Sequence, residues 1–301
     1  MSKNILVIGD SILDETVISD VIGTSLETPT LKTEYKSSQI SFGGASNVVS
    51  HMLSLDANVT FLTILGNDSY LTYYENFVSD KLRLFYEIQN IQNTVKTRYW
   101  VQSNNSCYKY LQMNRGQKIN NEDSALKVLL SKINIETCYD CIVLVDYSRG
   151  LLDNSKNIDT IMNTLKTFKC PIIVSSQLSS NTNNYPLFKG VDYMCMNDVE
   201  ALANYKDFTP TSDGIKSLAK LLQSNICVTL GKEGFIFYNN QDIIKYDGFA
   251  VDAIDTCGAG DAFLAAFAVF MNQDLDRCNK WAALSTTKLG TETPTLNELY
   301  E

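Results

Sequence analysis

Short apolar runs alternate with helical patterns along most of this chain. The runs NILVIG, NVTFLTILG, DCIVLVDY, CPIIVSS, VDYMCMN and NICVTLG predict strands. Several of them are continuous rather than alternating, which is typical of strands buried on both faces of a parallel sheet. Helical patterns between the strands predict helices at 45–55, 124–132, 156–168, 213–222 and 262–271. This order predicts an α/β fold with a doubly wound, mostly parallel sheet flanked by helices.

Two stretches, at about 15–42 and 94–113, depart from this pattern because their polar and apolar residues alternate. The second reads TVKTRYWVQSNNSCYKYLQM, in which Asn104 and Asn105 separate two alternating runs and predict a hairpin turn. We expect these stretches to form a small separate β-sheet that acts as a lid over a small-molecule site. Because the chain contains no repeat or linker, we expect 1–301 to form one domain with this lid inserted.

Composition and charge exclude several classes of protein. The net charge of −9 is spread along the chain, without a basic stripe, so nucleic-acid binding is not expected. The first apolar run is too short for a signal peptide, and no segment has the 18 or so apolar residues of a membrane span, so we expect a cytoplasmic protein. The eight scattered cysteines fit a reducing compartment. Cys138 and Cys141 have metal-site spacing but lack a second pair, and the start of a strand is the favoured interpretation.

The segment DTCGAGDAFLAAFAVF combines glycines, an acid and a long apolar helix. Gly258, Ala259 and Gly260 come just before that helix, so their N–H groups could hold an anion. Asp261 could then accept a proton from an attacking hydroxyl beside a phosphoryl group in transfer. Alternatively, the glycines serve packing and the acid complements the helix dipole, and the segment alone does not decide between the two. P-loop spacing is absent, and Phe263 replaces the third glycine of a dinucleotide motif.

The segment DTCGAGD resembles the D-T-x-G-A-G-D signature of the ribokinase-like (phosphofructokinase B-type) carbohydrate kinases. Other motifs of that family are matched in the same order over nearly the whole chain. GDSILD resembles its substrate-binding turn, which implies that Asp14 holds sugar hydroxyls. FGGASN resembles its di-glycine motif, which implies that Gly43, Gly44 and Asn47 contact the sugar. The resemblance thus implies a sugar kinase whose general base is Asp261.

The nucleotide side of the family is matched as well. MNDVEA resembles its Asn-x-x-Glu element, which implies that Asn197 and Glu200 lie near magnesium-bound phosphates. VTLGKEG resembles its nucleotide loop and implies contacts from Thr229 and Gly231, while Asn279 corresponds to an adenine-side asparagine. The implied cofactors are ATP and Mg²⁺. Glu200 suits the ion through bound water, because Mg²⁺ is a hard cation that usually keeps several waters.

Three segments resemble the bacterial heptose 7-phosphate kinases, the kinase half of the enzyme that makes ADP-heptose for lipopolysaccharide. These segments are SLETPTLKTE, VDYSRGLL and KLGTETPTLNEL. The implied reaction transfers the ATP γ-phosphate to the anomeric hydroxyl of a heptose 7-phosphate. Asp146 and Arg149 are accordingly predicted to bind substrate, and Arg149 and Arg98 are candidates for contacting its phosphate. The resemblance also implies a possible monovalent-cation site near Asp255 and Cys257.

Residues 174–177 read VSSQ where this group has Val-Asp-Pro-Lys. The cation expected near the phosphate site is therefore missing, and Lys232 is an alternative source. His51 is the only histidine, which excludes a His-x-Gly-His motif, so we expect a kinase without a nucleotidylyltransferase domain. We expect His51 itself to be a surface or packing residue. Two alternatives stay open: a kinase for a different sugar or sugar phosphate, and a sugar- or nucleotide-binding protein with weak catalysis.

The lid also predicts self-association. Its apolar strand residues Tyr99, Val101, Tyr108 and Tyr110 would leave exposed faces that a second copy could cover. The family resemblance implies the same arrangement. We therefore expect a homodimer through the lid, with a sugar or sugar phosphate and ATP as the small-molecule partners.

Overall fold

The computed structural model describes residues 2–103, 106–120, 123–179, 182–271 and 274–301. The predicted turn at Asn104 and Asn105 lies outside these residues. The strands are β1 (Asn4–Gly9), β2 (Ser11–Thr24), β3 (Leu31–Gly44), β4 (Asn58–Gly66), β5 (Leu82–Gln89), β6 (Val95–Ser103), β7 (Ser106–Arg115), β8 (Cys141–Asp146), β9 (Ile172–Ser176), β10 (Tyr193–Asn197), β11 (Asn225–Thr229), β12 (Phe235–Tyr238) and β13 (Ile243–Tyr246). The α-helices are α1 (Ala45–Ser54), α2 (Leu71–Glu75), α3 (Asp123–Ser131), α4 (Ser155–Leu165), α5 (Asp198–Asn204), α6 (Ser212–Leu222), α7 (Ala259–Phe270), α8 (Asp276–Ser285) and α9 (Leu296–Tyr300).

The larger sheet has the strand order β13-β12-β11-β10-β9-β8-β1-β4-β5. Neighbours from β5 through β11 are parallel, and only β12 and β13 pair in antiparallel fashion at one edge. The predicted doubly wound, mostly parallel sheet is thereby confirmed. The parallel pairing brings the carboxyl ends of β1, β8, β10 and β11 to the same edge of the sheet, where ligands bind in this architecture.

Helices cover both faces of this sheet, and the alternation of side chains along β1 shows how. Leu6 and Ile8 pack with α3, α4, α5 and α6, whereas Ile5 and Val7 pack with α1, α7 and α8. Both sets of strand side chains are fully buried. This two-sided burial explains why the strand sequences are continuous rather than alternating.

Helix α7 lies in the core, and each of its residues from Asp261 to Phe270 is buried. Its alanines allow close packing against the sheet, while Phe263 and Phe267 contact the aromatic side chain of Phe235 or Phe237. The histidine His51 lies on the adjoining helix α1 and accepts a hydrogen bond of 3.1 Å from Trp281 Nε1. Burial lowers the pKa of His51 to about 3, so it is a neutral packing residue.

The smaller sheet has the order β3-β2-β6-β7 and forms the predicted separate sheet. Strands β2 and β3 are antiparallel, β2 and β6 are parallel, and β6 and β7 are antiparallel. All of β7 is exposed, including Tyr108 and Tyr110, whereas Val101 is buried with 3% exposure. The expectation of exposed side chains was therefore wrong for Val101, and Tyr99 is half-buried.

Two expectations about excluded classes can be compared with the fold. In the part of the chain that the structure describes, no helix is both long and apolar enough to cross a membrane. Cys141 begins β8, as the favoured interpretation predicted, and Cys138 is an exposed free thiol.

Candidate active site

Three adjoining cavities lie along the carboxyl ends of the parallel strands. The central cavity has a volume of about 270 Å³ and is lined by Tyr147, Glu200 and Asp261, among others. A second cavity of about 510 Å³ extends toward α8 and shares Thr229 and Gly260 with it. We call this the α8 cavity. The third, of about 430 Å³, is lined by Lys96, Lys118 and Arg149; we call it the basic cavity, and it shares Tyr147 and Gln177 with the central one.

The glycines before Asp261 shape the wall of the central cavity at the beginning of α7. Gly258 has a φ of +80°, and a Cβ at this position would lie 2.9 Å from Asn47 Nδ2, so the backbone here requires glycine. Gly258 and Gly260 both line the cavity. The N–H of Ala259 is used within the turn, where it donates to Thr256 O at 3.3 Å. The unpaired N–H groups of the first helical turn suit an anion in this position.

Asp261 extends from the first turn of α7, and both of its carboxylate oxygens accept hydrogen bonds. Tyr147 Oη donates to Oδ1 at 2.6 Å, and Asn47 Nδ2 donates to Oδ2 at 2.9 Å. Burial raises the pKa of Asp261 to about 6, although both hydrogen bonds oppose the rise. The carboxylate is therefore mostly ionised at neutral pH and still basic enough to take a proton from a hydroxyl.

Asp14 lies on β2 where this strand pairs with β6, and it forms a buried ion pair. Arg98 Nη1 is 2.7 Å from Asp14 Oδ1, and both side chains are buried. Burial raises the pKa of Asp14, although the charges of Arg98 and Lys96 oppose the rise. A Cβ on Gly43 would lie 2.6 Å from Asp14 Oδ2, so glycine lets β3 approach this carboxylate. Gly44 has a φ of +59°, and its neighbour Ala45 donates its N–H to Asp10 O as α1 begins.

The loop after β8 is held by Asp10, which is fully buried. Its carboxylate accepts hydrogen bonds from the N–H groups of Tyr147, Arg149 and Leu151, at 2.9, 3.0 and 3.2 Å. Burial, followed by the nearby charge of Asp146, raises its pKa to about 7. The three donors fix the backbone of the loop that carries Tyr147 and Arg149 to the cavities.

Asp146 was predicted to bind substrate, and the structure places it behind this loop. Its carboxylate is fully buried and accepts hydrogen bonds from Ser176 Oγ at 2.6 Å, Asn184 Nδ2 at 2.8 Å and the N–H of Ser148 at 2.8 Å. Burial raises the pKa of Asp146, although these hydrogen bonds act to lower it. In this geometry Asp146 supports the loop, and Tyr147, Ser148 and Arg149 of the same segment line the cavities.

Glu200 and Asn197 line the central cavity at the beginning of α5 and hold each other in a capping box. The N–H of Asn197 donates to Glu200 Oε2 at 2.9 Å, and the N–H of Glu200 donates to Asn197 Oδ1 at 2.8 Å. Burial raises the pKa of Glu200. Among the residues described, no three His, Cys, Asp or Glu side chains are grouped to hold a metal ion. The carboxylate of Glu200 nevertheless fits Mg²⁺, which is commonly bound by one or two carboxylates and several waters.

The α8 cavity brings together the predicted nucleotide residues Thr229, Gly231 and Asn279, and Lys232 also lines it. Its other walls are mainly small or apolar, contributed by Phe249, Ala250, Val251, Ala253, Ala282 and Ala283. Asn279 Nδ2 donates to the carbonyl of Asp247 at the cavity wall. A mostly apolar slot with a few polar groups suits an aromatic base.

The comparison with known families decides the class of protein. The family model described as "pfkB family carbohydrate kinase" matches residues 2–297. The chain belongs to the pfkB family. It is therefore a carbohydrate kinase, an enzyme that transfers a phosphoryl group to a sugar hydroxyl, and the resemblance stated from the motifs is confirmed.

Curated relatives of this pfkB kinase include the bifunctional protein HldE of Aliarcobacter butzleri, which is 26% identical over 312 residues. The bifunctional protein HldE of Nitratiruptor sp. is 24% identical over 315 residues. These alignments cover 99% and 100% of this chain but 64% and 65% of the relatives. The chain thus spans less than two thirds of the length of these relatives.

Solved structures with the same fold include Escherichia coli phosphofructokinase-2 in complex with potassium, with a TM-score of 0.79 and 15% identity. The alignment covers 100% of this chain and 97% of that one. Ribokinase from Thermotoga maritima has a TM-score of 0.70 and 22% identity, with 98% and 97% coverage. At these identities the likeness establishes the ribokinase-like fold.

Three residues of this pfkB kinase were missed as site residues by the sequence analysis. Asp10 and Tyr147 lie inside the quoted segments GDSILD and VDYSRGLL, but only their folded contacts show what they hold. Lys96 lies on β6 with 9% exposure, and its Nζ is 3.2 Å from Gln177 Oε1 and 4.7 Å from the centre of the Tyr147 ring. The alternation of the lid strand was the one signal that could have placed Lys96 on the same face as Arg98.

Proposed function

We propose that this pfkB family kinase transfers the γ-phosphate of ATP to the anomeric hydroxyl of a heptose 7-phosphate, with Asp261 as general base. The observation that supports this proposal most directly is the position of Asp261. Its buried carboxylate, with a pKa of about 6, lines a central cavity that adjoins both the mostly apolar α8 cavity and the basic cavity. A phosphoryl donor in the α8 cavity and a phosphorylated acceptor in the basic cavity could therefore meet in the central cavity.

The donor side follows from the α8 cavity. The adenine would lie between Phe249 and the alanines of α8, with its phosphates directed past Thr229 and Gly260 into the central cavity. The N–H groups at the beginning of α7 would stabilise negative charge on the transferring phosphoryl group. When bound, Mg²⁺ would neutralise further phosphate charge, held through water by Glu200.

The acceptor side is built by Asp14, Asn47 and Asp261. Asp261 takes the proton of the attacking hydroxyl, and the hydrogen bonds from Tyr147 and Asn47 keep its carboxylate oriented. Asn47 Oδ1 is buried and has no hydrogen-bond partner among the residues described, so it can accept a bond from a sugar hydroxyl. Asp14 would bind other hydroxyls of the sugar, next to Arg98.

The choice of a heptose phosphate rests on the three matched segments and on the basic cavity. VDYSRGLL supplies Arg149, which lines that cavity with two lysines. The HldE relatives are bifunctional by name, and our proposal concerns the kinase reaction alone. A kinase for another sugar phosphate is the second candidate, because Gln177 stands where the heptose kinases have lysine.

We extend the proposal to a monovalent cation near Asp255 and Cys257. The Asp255 carboxylate accepts hydrogen bonds from the N–H groups of Cys257 at 3.1 Å and Gly290 at 3.2 Å. This places a buried carboxylate under the loop that leads into α7. One structural neighbour is described as a potassium complex.

We also propose a homodimer through the lid. Strand β7 exposes Tyr108, Tyr110, Leu111 and Met113 at the free edge of the lid sheet, and such an edge favours pairing with a second copy. We expect sedimentation at micromolar concentration to give the mass of a dimer. Replacing Tyr110 with Lys should shift this dimer toward monomer, and a wild-type protein that sediments only as a monomer would contradict the proposal.

The proposed reaction is tested by ADP release with Mg-ATP across heptose 7-phosphates, hexose phosphates and the corresponding free sugars. We expect turnover on a heptose 7-phosphate to exceed that on its unphosphorylated form by at least tenfold. Turnover confined to another sugar or sugar phosphate would keep the kinase and remove the heptose assignment. Saturable sugar binding without ADP release from any compound would instead favour the binding-protein alternative.

A further inference from the structure

The basic cavity adjoins the central cavity and shares no lining residue with the α8 cavity. We propose that this cavity is the subsite for the phosphate of the acceptor, and that Lys96 supplies the cation that position 177 lacks. The proposal rests on the proposed function and defines its substrate class: a sugar that carries its phosphate at the end remote from the reacting hydroxyl. It replaces the pairing of Arg149 with Arg98 as the phosphate contacts.

Charge and burial support the subsite. Lys96, Lys118 and Arg149 line this cavity, which also carries the amide side chains of Gln112 and Asn114. Lys118 is ion-paired with Asp153 at 2.8 Å, so Lys96 and Arg149 are the cations most available to a phosphate. Lys96 is nine-tenths buried, and no carboxylate lies within ion-pair distance of its Nζ among the residues described. Burial lowers the pKa of Lys96; the charges of Asp14 and Asp261 oppose this effect, and those of Arg98 and Arg149 add to it. A bound phosphate dianion would offset this cost.

One hydrogen-bond donor of the Arg149 side chain is unused within the described part of the chain. Its Nε is buried and has no hydrogen-bond partner among the residues described. The backbone of Arg149 is fixed by Asp10, so its side chain extends from a rigid loop. A guanidinium held in this way suits a phosphate, to which it can donate two parallel hydrogen bonds. The Nε of Arg98 is likewise buried without a hydrogen-bond partner among the residues described, but Arg98 is ion-paired with Asp14 at 2.7 Å and is not among the residues that line the basic cavity.

The contact between Lys96 and Gln177 supports the proposal that Lys96 supplies the cation missing at position 177. Gln177 lines both the central and the basic cavity, and its Oε1 is 3.2 Å from Lys96 Nζ. A lysine at 177 would therefore bring its ammonium group to the place that Lys96 already occupies. Lys96 enters this place from β6, 81 positions earlier in the chain.

The continuity of the cavities sets the shape of the acceptor. Tyr147 and Gln177 line both the central and the basic cavity, so an elongated ligand can occupy both at once. Its reacting hydroxyl would lie at Asp261 and its phosphate at Arg149. A sugar phosphorylated next to the reacting hydroxyl would reach only one of the two.

The test compares a phosphorylated acceptor with its free sugar in four proteins: wild type, Arg149→Met, Lys96→Met and the control Lys132→Met. Lys132 is an exposed lysine just after α3, so its replacement removes one charge away from the site. We expect Arg149→Met to raise KM for the phosphorylated acceptor by about 10–100-fold, since hydrogen bonds to charged groups contribute roughly 1.5–3 kcal/mol. KM for the free sugar and for ATP should change by less than about threefold. An equal loss on both acceptors would overturn the subsite.

The role of Lys96 is tested by rescue. Lys96→Met should raise KM for the phosphorylated acceptor. Adding Gln177→Lys to that variant should lower this KM again by at least tenfold. Restoration would show that the charge at this place matters, because Lys96 lies on β6 whereas residue 177 follows β9. If the double variant has the same KM as Lys96→Met and an unchanged melting temperature, the proposal that Lys96 takes the role of a lysine at position 177 is wrong.

A binding experiment separates this inference from the proposed function. With Mg-ADP saturating the donor side, inorganic phosphate is titrated and its binding followed by phosphorus NMR line broadening. We expect saturable binding to the wild-type protein that weakens at least tenfold in Arg149→Met. Such binding without turnover of any sugar phosphate would keep the subsite and remove the proposed reaction. Phosphate affinity that is absent, or equal in both proteins, would overturn the subsite even if heptose 7-phosphate is turned over.

Discussion

Replacing Asp261 with Asn is expected to lower the rate of ADP release by about 10²–10⁴-fold, the usual contribution of a general base. The amide cannot take the proton of the attacking hydroxyl, while the shape of the side chain is kept. The Kd for Mg-ATP should stay within about threefold, because the α8 cavity is lined without Asp261. Steady-state kinetics with a saturating acceptor measure the first effect, and a nucleotide titration measures the second. A variant retaining more than about one hundredth of the wild-type rate would exclude Asp261 as the base.

The same variant should remain folded, and its stability gives an independent check. The folded-state pKa of Asp261, at about 6, is above its ordinary value, so the folded state binds the proton more tightly than the unfolded state does. Wild-type stability attributable to this group therefore falls as pH rises from about 4 to 6 and stays low above that range. Each pH unit corresponds to about 1.4 kcal/mol, so the cost at neutral pH is of the order of 2–3 kcal/mol. Asp261→Asn removes this cost, and an unchanged or higher melting temperature at pH 8 is expected.

A matched control addresses the alternative that Asp261 serves only the helix dipole. Asp276 is an exposed acid in the first turn of α8. Asp276→Asn should cost about 0.3–1 kcal/mol of stability and leave ADP release unchanged, since that is the usual contribution of a first-turn acid. If the two variants behaved alike, the dipole interpretation would stand and the base assignment would fall.

The pH dependence of kcat/KM should report the same carboxyl group. Activity is expected to fall as pH decreases through about 6, because the protonated acid cannot accept a proton. The hydroxyl of Tyr147 lowers the pKa of Asp261 through its hydrogen bond. Tyr147→Phe should therefore move the acid limb to higher pH. A limb that moves to lower pH, or a wild-type limb near pH 4, would contradict the assignment.

The strands buried on both faces were readable from sequence. β1 and β4 have the predicted bounds, because a continuous apolar run ends at a glycine in each. β5, β12 and β13 were not predicted: they lie at the two edges of the sheet, and β5 and β13 are partly exposed, so their patterns are weaker. Helix α7 begins at Ala259 rather than at residue 262, because the glycine segment already forms its first turn. Helix propensity alone does not include Gly260 in a helix.

In the candidate site, too, some features could be predicted from the sequence and others could not. Asp261 and its glycines lie in one short segment, so their relation could be seen in the sequence. The contacts that orient Asp261 join it to Tyr147, 114 positions earlier, and to Asn47, 214 positions earlier. Sequence alone also could not show that Arg98 is paired with Asp14, or that Asp146 lies behind the loop it supports. Such pairings depend on strand register and loop conformation, which no local pattern determines.

Replacing Asp14 with Ala is expected to damage both stability and activity. Removal of one partner from a buried ion pair leaves Arg98 charged and unpaired, which costs about 3–5 kcal/mol. Asp14 also opposes the effect of burial on Lys96, so the remaining cations would repel each other more strongly. Loss of a carboxylate that holds sugar hydroxyls should lower kcat/KM for the acceptor by at least about 10²-fold. Chemical denaturation and acceptor-dependent ADP release measure the two effects.

Two further variants separate the structural and functional roles of Asp14. Asp20 lies on the same strand, exposed, with Lys36 at 3.8 Å, and Asp20→Ala should cost less than about 1 kcal/mol. The double variant Asp14→Leu with Arg98→Met replaces the buried pair with apolar side chains and should recover most of the lost stability, as such replacements often do. Its activity should stay low, because the acceptor still lacks its carboxylate. Recovery of activity together with stability would show that Asp14 acts only by neutralising Arg98, and would remove it from the sugar site.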